Sequence, residues 1–115
     1  NLKLGIDLGK QKVNNGIEPE EFKKFLSEKN RILIDLREQS EINKNGKINN
    51  SISVPFPEIS DYLNTNKKEM QNKRVLFYCA IGQRSTLAVQ VSKSYNYNNC
   101  LHLIGGLKKW KLEGF

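Results

Sequence analysis

The apolar positions of this chain fall in short runs punctuated by turn formers, and their spacing switches repeatedly between that of a strand and that of a helix. Arg31-Ile32-Leu33-Ile34-Asp35 carries a continuous apolar centre between charged ends, the pattern of a strand buried on both faces of a parallel sheet. Val75-Leu76-Phe77-Tyr78 is the clearest strand, entered from a polar loop, and Cys100-Leu101-His102-Leu103-Ile104 is the last. Ile52-Ser53-Val54 predicts a shorter strand closed by Pro55 and Pro57. Helices fit between them. Glu18-Pro19-Glu20-Glu21 opens one, with Pro where a missing N–H is harmless and acids at the positive end of the dipole, and Phe22, Phe25 and Leu26 then share a face. Glu38 to Ile42 predicts a short helix stopped near Asn45-Gly46, and Ile59, Tyr62 and Leu63 a helical turn. A longer helix runs from Ser85, a competent N-cap, to about Tyr95, with Leu87, Ala88 and Val91 at core spacing. Asn96 to Asn99 reads as a turn, and Gly105-Gly106 as a tight turn into a short helix carrying Leu107 and Trp110. Strands alternating with helices predict an α/β domain whose central sheet is mostly parallel and flanked by helices.

Composition narrows this picture. A chain of 115 residues, 37% hydrophobic, is of single-domain size, able to bury roughly two thirds of its unfolded surface. The recognisable elements begin at residue 18, so residues 1–17 are expected to be an N-terminal extension and 18–115 the domain. No run approaches the about 18 apolar residues of a membrane span, and Asn1 to Gly16 alternates charge and Gly too often for a signal peptide's apolar region. The net charge of +7 could invite an anionic partner, yet 15 of the 19 basic residues are Lys and Asn fills another 14 positions. Lys23-Lys24, Lys67-Lys68 and Lys108-Lys109 are dispersed and lack interleaved aromatics, so the excess reads as solvated surface that steers small anions rather than a nucleic-acid groove. The two Cys have neither metal-site nor disulfide-framework spacing, which predicts a thiol protein of a reducing, cytoplasmic compartment with no metal and no cofactor.

One of those thiols stands where chemistry is done. In parallel α/β sheets ligands bind beyond the carboxyl ends of the strands, and Cys79 directly follows its strand. The loop Cys79-Ala80-Ile81-Gly82-Gln83-Arg84, with Gly82 free to take a positive φ, can curl until successive backbone N–H groups point at one sulfur atom. The helix that follows adds its positive end, and these groups favour the nucleophilic thiolate. Arg84 offers a planar, permanently charged fork for an oxyanion. Cys100, mid-strand, reads instead as a small buried hydrophobe, His102 as a structural residue and Trp110 as a core anchor.

The succession of strand, Cys79-x-x-Gly82-x-Arg84-Ser85, helix, strand, Gly105-Gly106, Trp110 and Gly114 resembles the active half of a rhodanese domain, the thiosulfate sulfurtransferase family. Upstream, Ile34-Asp35-Leu36-Arg37 with Glu41 is similar to that family's Asp-x-Arg segment, so the resemblance covers about residues 18 to 115. It implies a three-layer rhodanese-like fold and a two-step transfer. Cys79 would take a sulfane sulfur from a small anionic donor such as thiosulfate, and pass it from a persulfide to a thiol, cyanide or a sulfur-carrier protein. The amides of Ala80, Ile81, Gly82, Gln83 and Arg84 would cradle the outer sulfur, while Asp35, Arg37 and Ser85 would support the loop. Two departures matter. Gly46-Lys47-Ile48 followed by Asn49-Asn50-Ser51 stands where the family often has Gly-His-Ile and a Pro-Gly-Ala turn; Asn accommodates the left-handed turn, but the histidine contact is lost. Ala80, Ile81 and Gln83 are neutral, leaving Arg84 as the loop's cation, which disfavours free thiosulfate as the physiological donor. Alternatives are a catalytically idle binding module, a persulfide carrier for cofactor or tRNA sulfuration, and a Cys-dependent phosphatase or arsenate reductase, whose Cys-x5-Arg loop is one residue longer.

Overall fold

The computed structural model describes residues 8–115, so the first seven residues of the expected extension lie outside the described residues. Five parallel strands form one sheet in the order β1-β5-β4-β2-β3. They are β1 (Gly16–Ile17), β2 (Arg31–Asp35), β3 (Ile52–Ser53), β4 (Arg74–Tyr78) and β5 (Cys100–Leu103). Helices α1 (Leu8–Val13), α2 (Pro19–Leu26), α3 (Gln39–Asn45), α4 (Ile59–Thr65), α5 (Lys67–Met70), α6 (Gln83–Ser94) and α7 (Gly106–Leu112) complete a three-layer α/β fold. A 3-10 turn, Phe56–Glu58, leads into α4.

Strand parity sorts the core into two halves. In β2 and β4, Ile34, Val75, Phe77 and then Cys79 face one side, where they pack with Ile59 and Leu63 of α4 and Ala88 and Val89 of α6. Leu33, Leu76 and Tyr78 face the other, against Phe22 of α2 and Leu107 and Trp110 of α7. Because side chains alternate along a strand, placing Tyr78 on the α7 side obliges Cys79 to project beneath α6. That parity, dictated by the β4 run, brings the thiol to the start of α6.

Local signals explain most boundaries. Pro19 occupies the first turn of α2 and Glu18 its extended N-cap. Glu38 and Glu41 form a reciprocal capping box at α3, which ends at Gly46 with φ 74°. Asn50 takes φ 67°, the left-handed geometry expected of Asn at that turn.

Two expectations are corrected. Ser85 is not an N-cap: α6 begins at Gln83 and is capped by Gly82 at φ 99°, leaving Ser85 in the first turn with its side chain buried. Leu87 is not in the core, being 41% exposed; the buried face of α6 is Ser85, Thr86, Ala88, Val89 and Ser92. These small residues let the helix lie close to the sheet, and Thr86 and Ser92 satisfy their hydroxyls on Gly82 O and Val89 O. The residues ahead of position 18 also contribute to the sheet. Gly16 and Ile17 pair with His102 and Leu103 as the edge strand β1, and α1 ahead of it buries Gln11. The α1 sequence shows no apolar periodicity, since Leu8 and Val13 are exposed and its one buried residue is polar.

Candidate active site

Cys79 directly follows β4, its side chain fully buried. The loop after it turns at Gly82, whose amide N lies 3.1 Å from Cys79 Sγ, and the Ser85 amide N lies 3.4 Å from the same sulfur. Two N–H dipoles at the amino end of α6 therefore converge on Sγ, an environment suited to an anionic sulfur. Ser85 Oγ is 3.6 Å from Sγ and 2.8 Å from His102 Nδ1. The loop is held from behind by α7, where the Leu107 and Lys108 amides donate to the carbonyls of Cys79 and Ala80. Gly105 at φ 75° and Gly106 at φ 62° make that approach possible; a Cβ on Gly106 would lie 2.5 Å from the Ala80 carbonyl.

Arg84 does not point a free fork at the sulfur. Its two terminal nitrogens donate to both carboxylate oxygens of Glu41, at 2.8 and 2.9 Å, tying the loop's exit to α3. The Arg84 hydrogen bonds are the main cause that holds the Glu41 carboxyl down at about 2, and they raise the guanidinium further. Glu41 was noted in the sequence only as part of the Asp-x-Arg segment; its pairing across the site needed the fold.

Asp35 and Arg37 form a second, buried unit on the α7 side. The Arg37 Nε and Nη2 atoms donate to Asp35 Oδ1 at 3.0 Å and Oδ2 at 2.7 Å, and Nη2 also donates to Gly46 O at 2.7 Å. Tyr78 Oη donates to Asp35 Oδ2 at 2.7 Å and accepts from the Ile48 amide at 3.0 Å. Burial is the first cause raising Tyr78 to about 12, so it stays a neutral donor. The unit braces the Gly46–Ser51 turn against the end of β4. A cavity of about 470 Å³ opens beside the loop, with Ala80, Ile81 and Leu107 among its walls and Arg37, Lys108 and Lys111 as its cations.

Two residues of the site had no functional reading in the sequence. Gln11 Nε2 donates to Ile81 O at 3.1 Å and its Oε1 accepts from the Gly105 amide at 2.7 Å, strapping the loop to the Gly-Gly turn. Nothing in a Lys-rich segment marks such a glutamine. His102, read as structural, is fully buried beside Ser85 and pushed down to about 4 by burial, hence neutral near pH 7. Cys100 is buried in the core and its thiol is pushed up to about 11, again by burial.

Comparison with known proteins bears on the family and the fold. The model of the rhodanese-like domain matches residues 18–113. A mouse (Mus musculus) thiosulfate sulfurtransferase/rhodanese-like domain-containing protein 3 is 33% identical over 105 residues, which cover 83% of this chain and 67% of that protein. The tRNA uridine(34) hydroxylase of Rickettsia prowazekii (strain Madrid E) is 30% identical over 110 residues, 93% of this chain but 43% of the hydroxylase, so the chain spans less than half of that relative. Among solved structures, a rhodanese-related protein from Thermoplasma volcanium superposes with a TM-score of 0.69 at 28% identity, covering 88% of this chain and 94% of that one. With its sheet, its Cys79 loop and the match over residues 18–113, the chain belongs to the rhodanese-like domain family.

Proposed function

We propose that this domain is a sulfurtransferase that carries sulfane sulfur as a persulfide on Cys79. The observation that carries the reading is the pair of amides, Gly82 N at 3.1 Å and Ser85 N at 3.4 Å, aimed at the sulfur from the start of α6. The Cys79 thiolate attacks the outer sulfur of a donor such as thiosulfate; the donor's S–S bond breaks, sulfite leaves with the bonding pair, and Cys79 holds an S–S⁻ group. Cyanide or a thiolate then attacks that outer sulfur, leaving as thiocyanate or a persulfide and returning the Cys79 thiolate. The loop amides from Ala80 to Arg84 cradle the transferred sulfur, and a reducing, cytoplasmic setting keeps the thiol ready. With Arg84 paired to Glu41, its part is chiefly to hold the loop. Binding of the anionic donor or acceptor falls to the adjoining cavity of about 470 Å³ with Arg37, Lys108 and Lys111. A volume in the range of small-molecule pockets suits an organic anion better than free thiosulfate.

Mass spectrometry after incubation with thiosulfate, and with an organic thiosulfonate, tests the proposal. One added sulfur atom on Cys79, removed by cyanide and absent from Cys79→Ser, is the expected result. Labile sulfur on the Cys79→Ser variant would place the nucleophile elsewhere. Cys79-dependent release of phosphate from an aryl phosphate, without persulfide from any donor, would establish the phosphatase alternative.

A further inference from the structure

The hydrogen-bond chain beneath the loop has a direction that the heavy atoms decide. His102 Nε2 lies 3.0 Å from the backbone carbonyl oxygen of Gln11, which can only accept, so Nε2 carries the ring proton. Thr86 Oγ1, 3.4 Å from the same nitrogen, gives its own proton to Gly82 O at 2.7 Å and offers Nε2 only lone pairs. In a neutral ring Nδ1 is then bare, and the Ser85 hydroxyl at 2.8 Å donates to it. Gly82 O, 3.2 Å from Ser85 Oγ, does not compete well for that proton, because it already accepts from the Thr86 hydroxyl and from the Thr86 amide at 3.1 Å. With its only hydrogen turned to His102, Ser85 Oγ presents lone pairs to Cys79 Sγ at 3.6 Å. That contact is favourable when the sulfur carries a proton and unfavourable when it is a thiolate.

The sulfur therefore sits between opposing influences. The Gly82 and Ser85 amides favour the anion, and so does the charge of Arg84 from α6, itself paired with Glu41 from α3. The Ser85 lone pairs favour the thiol. Among the described residues, the groups against the imidazole are the Gln11 carbonyl from α1, Ser85 and Thr86 from α6 and the Leu103 backbone from β5, all uncharged, and desolvation keeps the ring neutral.

We propose that His102, its tautomer fixed by the Gln11 carbonyl, is a positioning residue that turns the Ser85 hydroxyl away from Cys79 and so restrains thiolate formation. Loading of sulfur then requires Ser85 to rotate its O–H from Nδ1 to Sγ, which gives up one hydrogen bond to make another. Gln11 couples this to the loop, because the same residue that fixes the ring also straps Ile81 to Gly105. The inference rests on Cys79 being the reacting thiol.

The test is the pH dependence of iodoacetamide alkylation, with the modified cysteine identified by peptide mass spectrometry. His102→Leu removes the Nδ1 acceptor and frees the Ser85 hydroxyl for the sulfur. The midpoint for Cys79 should move to lower pH by on the order of one unit, the effect of one hydrogen bond gained by a charged group. In a Ser85→Ala background the same substitution should leave the midpoint in place. An upward shift would mean that His102 serves as a base through Ser85, and an unchanged midpoint that the ring only fills space; either overturns the inference. Modification at Cys100 in place of Cys79 would instead overturn the assignment of the nucleophile. A ¹⁵N NMR measurement of the wild-type imidazole gives an independent answer should the variants fail to fold. It should show Nε2 protonated and Nδ1 bare from about pH 5 to 8, and a proton on Nδ1 would refute the inference.

Discussion

Cys79 and Cys100 are both buried, at 0% and 2% exposure, so accessibility in the folded state does not tell them apart. What separates them is what must move to expose each sulfur. Cys79 is covered by Ala80, Ile81 and Gly82, which pair with no strand, whereas Cys100 begins β5, between β1 and β4, and its release disrupts the sheet. Local opening of a loop is cheaper than opening of a central strand. Burial also pushes the Cys100 thiol up to about 11, leaving little thiolate near neutrality. Alkylation at pH 7.5 in native buffer should therefore modify Cys79 at least about tenfold faster than Cys100, and the two rates should converge in denaturant. Faster native labelling of Cys100 would contradict the reading.

At the scale of elements, the site is a junction of β4, α6 and α7, with α1 and α3 as outer supports. The α7 amides reach the carbonyls of Cys79 and Ala80 only because Gly106 has no side chain there and takes φ 62°. Gly106→Ala should cost on the order of 3 kcal/mol, adding overpacking against the Ala80 backbone to the left-handed conformation. Gly46→Ala, at φ 74° and ψ −173° with nothing within 4 Å of the added carbon, meets no clash but enters a region almost closed to L residues, and should cost about 2 kcal/mol. Urea denaturation of both variants checks the difference. Equal losses would show that the loop carbonyls yield to the methyl group and that the α7 contact is slack.

For the molecule as a whole, His102 links stability to pH. Its folded value of about 4 lies below the ordinary 6.5, because burial disfavours the charged ring. Between those values the unfolded chain binds a proton that the folded chain refuses, so stability rises with pH across this window. The contribution is complete above about pH 6.5 and is lost as pH falls toward 4, amounting to about 3 kcal/mol. Glu41 acts lower down: its carboxyl is depressed from 4.5 to about 2 by Arg84, so the benefit of that pair is present above pH 4.5 and fades as pH drops toward 2. Chemical denaturation at intervals from pH 7 to 4 should show the upper step in the wild type and a flatter profile in His102→Leu. Parallel profiles would mean that the ring charges in place without unfolding.

The α/β layering, the strand that delivers Cys79 and the Gly-Gly turn were legible in the chain because each rests on local physics. A short continuous apolar run between polar ends suits a doubly covered strand, and positions needing a positive φ favour Gly or Asn, as Gly82, Gly105 and Asn50 do here. Sequence also determined which face the thiol takes, since parity along β4 leaves no choice once Tyr78 is turned to the α7 side. It could not reveal the buried polar face of α6, because Ser85, Thr86 and Ser92 look like surface residues until their hydroxyls find partners. Leu87, the more apolar residue, is left outside for the same reason: close helix–sheet packing selects small side chains over large ones. Nor could sequence pair Arg84 with Glu41, 43 positions apart, or bring Gln11 to Ile81 and Gly105. Those contacts depend on where α1 and α3 dock, and docking is decided by the packed shape of the whole sheet and its layers, which no local pattern encodes.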